Sequence, residues 1–126
     1  MKKVKASLCA LLVICLIPIT ATASSGWDYL GEQSLSSNGA ESEIYASTGG
    51  DYMICRDNYV GPKGKVKVEL WEYDPESYND YVGYRNIARG ECGIFRSIGK
   101  FVDGGNEAEF FAKSRTSSNI HLIFYD

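Results

Sequence analysis

Four side chains that could supply oxygen ligands, Asp103, Asn106, Glu107 and Glu109, fall within the stretch FVDGGNEAEFF, residues 101–111. Carboxylates at such short spacing can hold calcium, a hard cation that takes oxygen donors, or can work in pairs as general acid and base. The spacing is not that of an EF-hand, which needs ligands at alternating positions, a glycine at the sixth and a glutamate at the twelfth. Asp103-Gly104 is instead a strong turn pair, because glycine accepts positive φ without a Cβ clash. The expectation is therefore a hairpin turn between strands, with an irregular calcium site at these four residues as the alternative. A second acidic group, Asp74, Glu76 and Asp80, occupies the loop DPESYND. It can join the first only if the fold brings both loops to one end.

Nucleophilic catalysis has little to work with. His121 is the single histidine, it sits in a terminal strand pattern, and no Gly-x-Ser-x-Gly elbow or other nucleophile signature accompanies it. A hydrolase using paired carboxylates is the one enzymatic option left, and the composition points instead to binding. All 9 tyrosines, both tryptophans and all 5 phenylalanines lie beyond residue 23. Trp71 and Tyr73 share one face of a strand, and the following segment brings Tyr78, Tyr81, Tyr84 and Arg85. Tyrosine and tryptophan give large contact area at small entropic cost. These six residues form the candidate ligand-binding set, for a surface polymer or another protein, unless the rings merely fill the pleat.

The chain that must position these groups begins with MKKVK, an apolar run SLCALLVICLIPI and the small residues TATA. That is the pattern of a secretory signal peptide, with cleavage expected after Ala23. The apolar run falls short of the roughly 20 residues that span a bilayer. Ile14 before Cys15 argues against lipid attachment. The expected organisation is a signal peptide at residues 1–23 and one exported domain at residues 24–126, extracellular or periplasmic, with no stable membrane insertion of the mature chain. Of the 13 Lys and Arg residues, Lys2, Lys3 and Lys5 leave with the leader, so 10 basic residues face 16 acidic ones, a net charge of −6. An acidic domain of this kind argues against nucleic acid as partner. Cys55 and Cys92 are the two cysteines beyond the leader, and export makes a disulfide between them the default.

The mature segment carries seven or eight short runs rich in strand formers, separated by turn signals such as SSNG, Gly49-Gly50-Asp51, GPKG and DPES. The clearest is KVKVELWEY, where Val66, Val68 and Leu70 alternate with Lys65, Lys67, Glu69 and Trp71, a period of two. NEAEFFAKS has the best helical alternative, yet reads as strand, and it is expected to pair with NIHLIFYD at the end. Strands of this length and spacing point to an all-β fold, an antiparallel sandwich or Greek-key barrel of about 7–8 strands with one disulfide. The leader and the stapled β pattern resemble those of small bacterial exported proteins in a general way. Function then reads as binding without chemistry and without an obligatory cofactor. A secreted antagonist, toxin-like or bacteriocin-like, is the alternative.

Overall fold

The structure is a computed structural model that describes residues 26–126; the expected leader at residues 1–23, its expected cleavage after Ala23, Cys9 and Cys15 lie outside the described residues. Eight strands form two antiparallel four-stranded sheets: β1 (Tyr29–Leu35), β2 (Tyr45–Ser47), β3 (Tyr52–Arg56), β4 (Val66–Glu72), β5 (Asp80–Ile87), β6 (Cys92–Phe95), β7 (Ala108–Ser114) and β8 (Ile120–Tyr125). The first sheet has the order β1-β8-β3-β6 and the second β2-β7-β4-β5. A single turn of 3₁₀-helix, Ile98–Phe101, precedes β7. Among the described residues no helix is long and apolar enough to cross a membrane.

Alternation builds the core. In β8, Ile120, Leu122 and Phe124 are fully buried, and His121, Ile123 and Tyr125 between them are only partly covered. Val66, Val68 and Leu70 of β4 meet Ala108, Phe110 and Ala112 of β7 and Tyr52 and Ile54 of β3 in the same apolar cluster. This resolves the ambiguity of NEAEFFAKS: Ala108, Phe110 and Ala112 share a strand face, so the period of two wins over the helical one. The expected pairing of that segment with the last run is corrected. β7 pairs with β2 and β4, and β8 with β1 and β3. Of the seven connections, only the one from β4 to β5 stays within a sheet. FVDGGNEAEFF is likewise a turn but not a hairpin: the Asn106 amide donates to the Asp103 carbonyl at 3.0 Å, and the segment carries the chain from β6 to β7 across one end of the sandwich.

Two ties reinforce this arrangement, one within the first sheet and one between the sheets. Cys55 and Cys92 lie directly opposite each other on β3 and β6, with Cα atoms 3.9 Å apart, and are joined by a disulfide. The second tie is Arg56, which is 2 % exposed. Its Nη1 donates to the carbonyls of Gly64 and Ile87, each at 2.9 Å, and its Nη2 to those of Pro62 at 2.6 Å and Val60 at 3.4 Å. One guanidinium at the end of a first-sheet strand thus gathers the β3–β4 loop and the last residue of β5 in the second sheet. Gly61 lets that loop close, since a Cβ there would stand 2.4 Å from the Asn119 carbonyl oxygen, and its φ of +87° suits glycine alone.

Removing Arg56 leaves four carbonyls without their donor. Arg56→Met is expected to lower unfolding free energy by about 3–5 kcal/mol, and Arg56→Lys to recover only part of it, because an ammonium cannot span the planar fork. Urea unfolding under non-reducing conditions measures both. The double change Cys55→Ser with Cys92→Ser is expected to cost about 4 kcal/mol by loop-entropy reasoning, with strand content by circular dichroism retained.

Candidate functional site

The solvent face of the second sheet carries the aromatic groups. Because Val66, Val68 and Leu70 point inward, Lys67, Glu69 and Trp71 of β4 point outward. Across β5 they meet Asn86, Tyr84 and Tyr81, and across β7 Glu69 and Trp71 meet Lys113 and Phe111. A bulge at Val82 keeps Tyr81 in line with Trp71, the register shifting between Leu70 and Trp71. The Trp71 and Tyr81 rings lie 5.0 Å apart, tilted by 59°. Lys113 Nζ stands 4.8 Å from the Trp71 ring centre and Lys67 Nζ 4.6 Å from that of Tyr84. Phe111 is buried beneath this layer, while Tyr73, Tyr81 and Tyr84 are exposed at its surface.

A polar lattice fixes the rings. Glu69, 7 % exposed, takes the Trp71 indole N–H at 3.1 Å and pairs with Arg115 at 3.0 Å and Lys67 at 3.7 Å. Burial alone would raise its pKa, but the hydrogen bonds from Arg115 and Trp71 and the charges of Arg115 and Lys67 together hold it below the ordinary carboxylate value. Lys113 pairs in turn with Glu41 at 3.1 Å. None of Glu69, Phe111, Lys113 or Arg115 stood out in the sequence, because β4 and β7 become neighbours only through the crossing topology.

Two members of the sequence-derived set lie elsewhere. Arg85 follows Tyr84 and so points to the opposite face of β5, where it lies over the Phe95 ring at 4.6 Å and donates from Nε to the Ile94 carbonyl at 2.8 Å. Tyr78 is in the β4–β5 loop, 93 % exposed.

The fold does bring the two acidic loops to one end. Asp74 and Glu76 line one cavity of about 380 Å³ together with Asp103, Glu107 and Glu109. Asn106 is not in that lining; it holds the turn at φ +63°. Among the described residues no group of three Asp, Glu, His or Cys is gathered as for a metal ion. Glu72, at the inner end of β4, is 6 % exposed. Burial, with Asp103, Asp80, Asp74 and Glu109 adding their charges, raises its pKa.

On the first sheet, His121 Nδ1 meets Ser34 Oγ at 2.8 Å and its Nε2 lies 3.3 Å from Glu32. Serine, histidine and carboxylate follow one another as in a hydrolase triad, but with the ring nitrogens exchanged, since a catalytic histidine faces its serine through Nε2 and its acid through Nδ1, and the three stand on an open strand surface. Lone histidine and pleat position thus come together as an oriented surface contact.

Comparison with known proteins adds two findings. Residues 29–124 match the family model described as "YndA coiled coil domain". The chain is 38 % identical over 133 residues to "Uncharacterized protein YndA" of Bacillus subtilis (strain 168), a match covering 98 % of this chain and 97 % of that one. The matched span holds the eight strands, whose period is two, whereas a coiled coil needs helices with apolar positions every 3.5 residues.

Glu69 and Glu72 respond to pH in opposite senses. Glu69, with its pKa lowered on folding, contributes stability that is present above the unfolded value and is lost as pH falls through the folded one. Glu72, with its pKa raised, contributes stability that is full below the unfolded value and is lost as pH rises through the folded one. Glu72→Gln is therefore expected to raise the melting temperature at pH 7 and to give no gain at pH 4, whereas Glu69→Gln lowers it at pH 7. Thermal unfolding of both variants across pH 4–8 checks the two signs.

Proposed function

This chain belongs to the YndA family, and we propose that it is an exported binding protein that engages a protein partner through the tyrosine face of its second sheet. The observation that carries the reading is the contrast on that face between occupied and open rings. Trp71 has Tyr81 against it and the Lys113 ammonium over it, and Tyr84 has Lys67 over it. Rings so covered are poorly placed to stack on sugar faces. What the face presents outward is a layer of tyrosine edges and hydroxyls from Tyr81 and Tyr84, held by these contacts, with Tyr73 exposed beside them and Lys67, Lys113 and Arg115 at the border. Protein interfaces are enriched in tyrosine, tryptophan and arginine, and side chains already fixed lose little entropy on binding.

The leader at residues 1–23 supports export, and the disulfide suits an oxidising compartment. The surface-polymer reading rests on the same rings and makes the opposite demand, that Trp71 be free to stack.

The test uses intact cells of the source organism, the same cells treated with protease, and their isolated envelope polysaccharide. Binding to untreated cells and loss of at least tenfold in affinity for the Tyr81→Ala, Tyr84→Ala double variant, with an unchanged unfolding midpoint, is the expected result. A tenfold loss corresponds to about 1.4 kcal/mol, a modest demand for two interface tyrosines. Equal binding to protease-treated cells or to polysaccharide would transfer the site to the polymer. Equal binding by the variant would remove the face from the function.

A further inference from the structure

We propose that the cleft between the edge strands β5 and β6 is a binding site for a small carboxylate attached to an apolar group. The proposal stands apart from the tyrosine face: Tyr84 and Arg85 are successive residues of β5 and point to opposite sides of the sheet. The two sheets part along this edge, leaving a cavity of about 280 Å³ whose walls include Val82, Phe95 and Phe101 and whose cations are Arg85, Arg96 and Lys100. Beyond the leader the chain carries 10 basic residues against 16 acidic ones. Three of those ten border one small cavity in a protein of net negative charge.

Arg85 is built into the site. Gly93 on β6 makes room for it, since a Cβ there would lie 2.6 Å from the Arg85 Cβ. Its Nε donates to the Ile94 carbonyl at 2.8 Å, its Nη1 to the Tyr84 carbonyl at 2.6 Å, and its guanidinium plane covers the Phe95 ring. Both bonds go to neutral carbonyls, and among the described residues no carboxylate pairs with it. The cation is therefore fixed in place with its charge uncompensated and Nη2 free to donate. Arg96 is paired, with Asp51 at 2.8 Å, and the same carboxylate accepts the Ser97 amide at 2.9 Å. That pair pins the turn leading into the 3₁₀ segment, where Ser97 holds φ +57° and makes no capping bond with its hydroxyl. Lys100 Nζ has no carboxylate partner among the described residues and stands 5.1 Å from the Phe101 ring centre.

Charge and shape together define the ligand. A guanidinium with a spare donor and a nearby ammonium recognise a carboxylate. With the Phe95 ring buried under the Arg85 guanidinium, the partly buried Val82 and Phe101 are the apolar groups left to meet what the carboxylate is attached to. The volume lies at the lower limit of small-molecule sites, which restricts the apolar part to about the size of one side chain. Two sources share this chemistry, a free aromatic or aliphatic acid and the C-terminal residue of a peptide.

Nitrogen-15 NMR titration of the whole exported protein tests the site with five probes: phenylacetate, the dipeptide Gly-Phe, the same dipeptide as its C-terminal amide, phenylacetamide and inorganic phosphate. Phenylacetate or Gly-Phe is expected to shift the amides of Ser97, Ile98 and Phe101 saturably, with the uncharged counterpart at least tenfold weaker. Phenylacetate as the better ligand assigns the site to free acids, and Gly-Phe as the better ligand to peptide ends. Arg96→Gln or Lys100→Gln, both at exposed positions, lowers the affinity at least threefold, and Arg85→Gln at least tenfold if that variant retains its fold by the same spectra. Equal binding of phenylacetamide would overturn the carboxylate assignment, and phosphate binding as well as phenylacetate would overturn the apolar half. Absence of saturable shifts with every probe would overturn the site.

Discussion

The burial of Arg56 is the constraint around which one end of this sandwich is arranged. A guanidinium out of water must have its donors satisfied, and a carboxylate is the usual partner. Here peptide carbonyls take the bonds from both Nη atoms, while Nε is buried without a hydrogen-bond partner. Gly64, Pro62 and Val60 supply them from the β3–β4 loop and Ile87 from the end of β5. The neighbouring Asp57 caps the amides of Tyr59 and Val60, so the loop is shaped from both sides. Desolvation and the nearby charge of Arg89 depress the Arg56 pKa, with Asp57 opposing, yet an arginine so far above neutrality stays charged. The result is a loop that crosses between sheets without an apolar core of its own. Its conformation depends on one side chain delivered by β3.

Crossing is the theme of the whole chain. Six of seven connections pass from one sheet to the other, so neighbours in space are seldom neighbours in sequence. This is why the Trp71 environment is assembled from β4, β5 and β7, and why Glu69 finds its principal cation at Arg115, beyond the end of β7. It also explains the acidic end. The β4–β5 loop and the β6–β7 crossing emerge on the same side, and Glu72 is left inside a ring of like charges. The fold accepts an unfavourable carboxylate there, and a favourable one at Glu69, within three residues of the same strand.

Electrostatics divides the surface accordingly. The outer face of the second sheet mixes both signs over aromatic rings, the loop end is acidic, and the open edge between β5 and β6 is basic. The description of the matched family as a coiled coil finds no counterpart in the described residues, where the same span folds as strands. Alternation is the physical reason. Val66, Val68 and Leu70, or Ile120, Leu122 and Phe124, can share a buried face only when successive side chains point to opposite sides.

The fold class was legible in the sequence because it rests on local physics. Period-two alternation, turn residues between the runs and the cysteines at 55 and 92 point to seven or eight strands and a disulfide whatever their neighbours are. Partner choice was not legible. Nothing in NEAEFFAKS or NIHLIFYD states that the two go to different sheets, because an apolar face fits any core of the right depth. The candidate site divides the same way. Trp71 and Tyr73 were visible as rings of one face from alternation, but Tyr81 and Tyr84, three residues apart, share that face only through the bulge at Val82, Phe111, Lys113 and Arg115 join them only through β4–β7 pairing, and Arg85 leaves them because successive residues of a strand face opposite ways. Residue type fixed which groups could carry charge or a ring. Only the long-range register decided which of those groups meet.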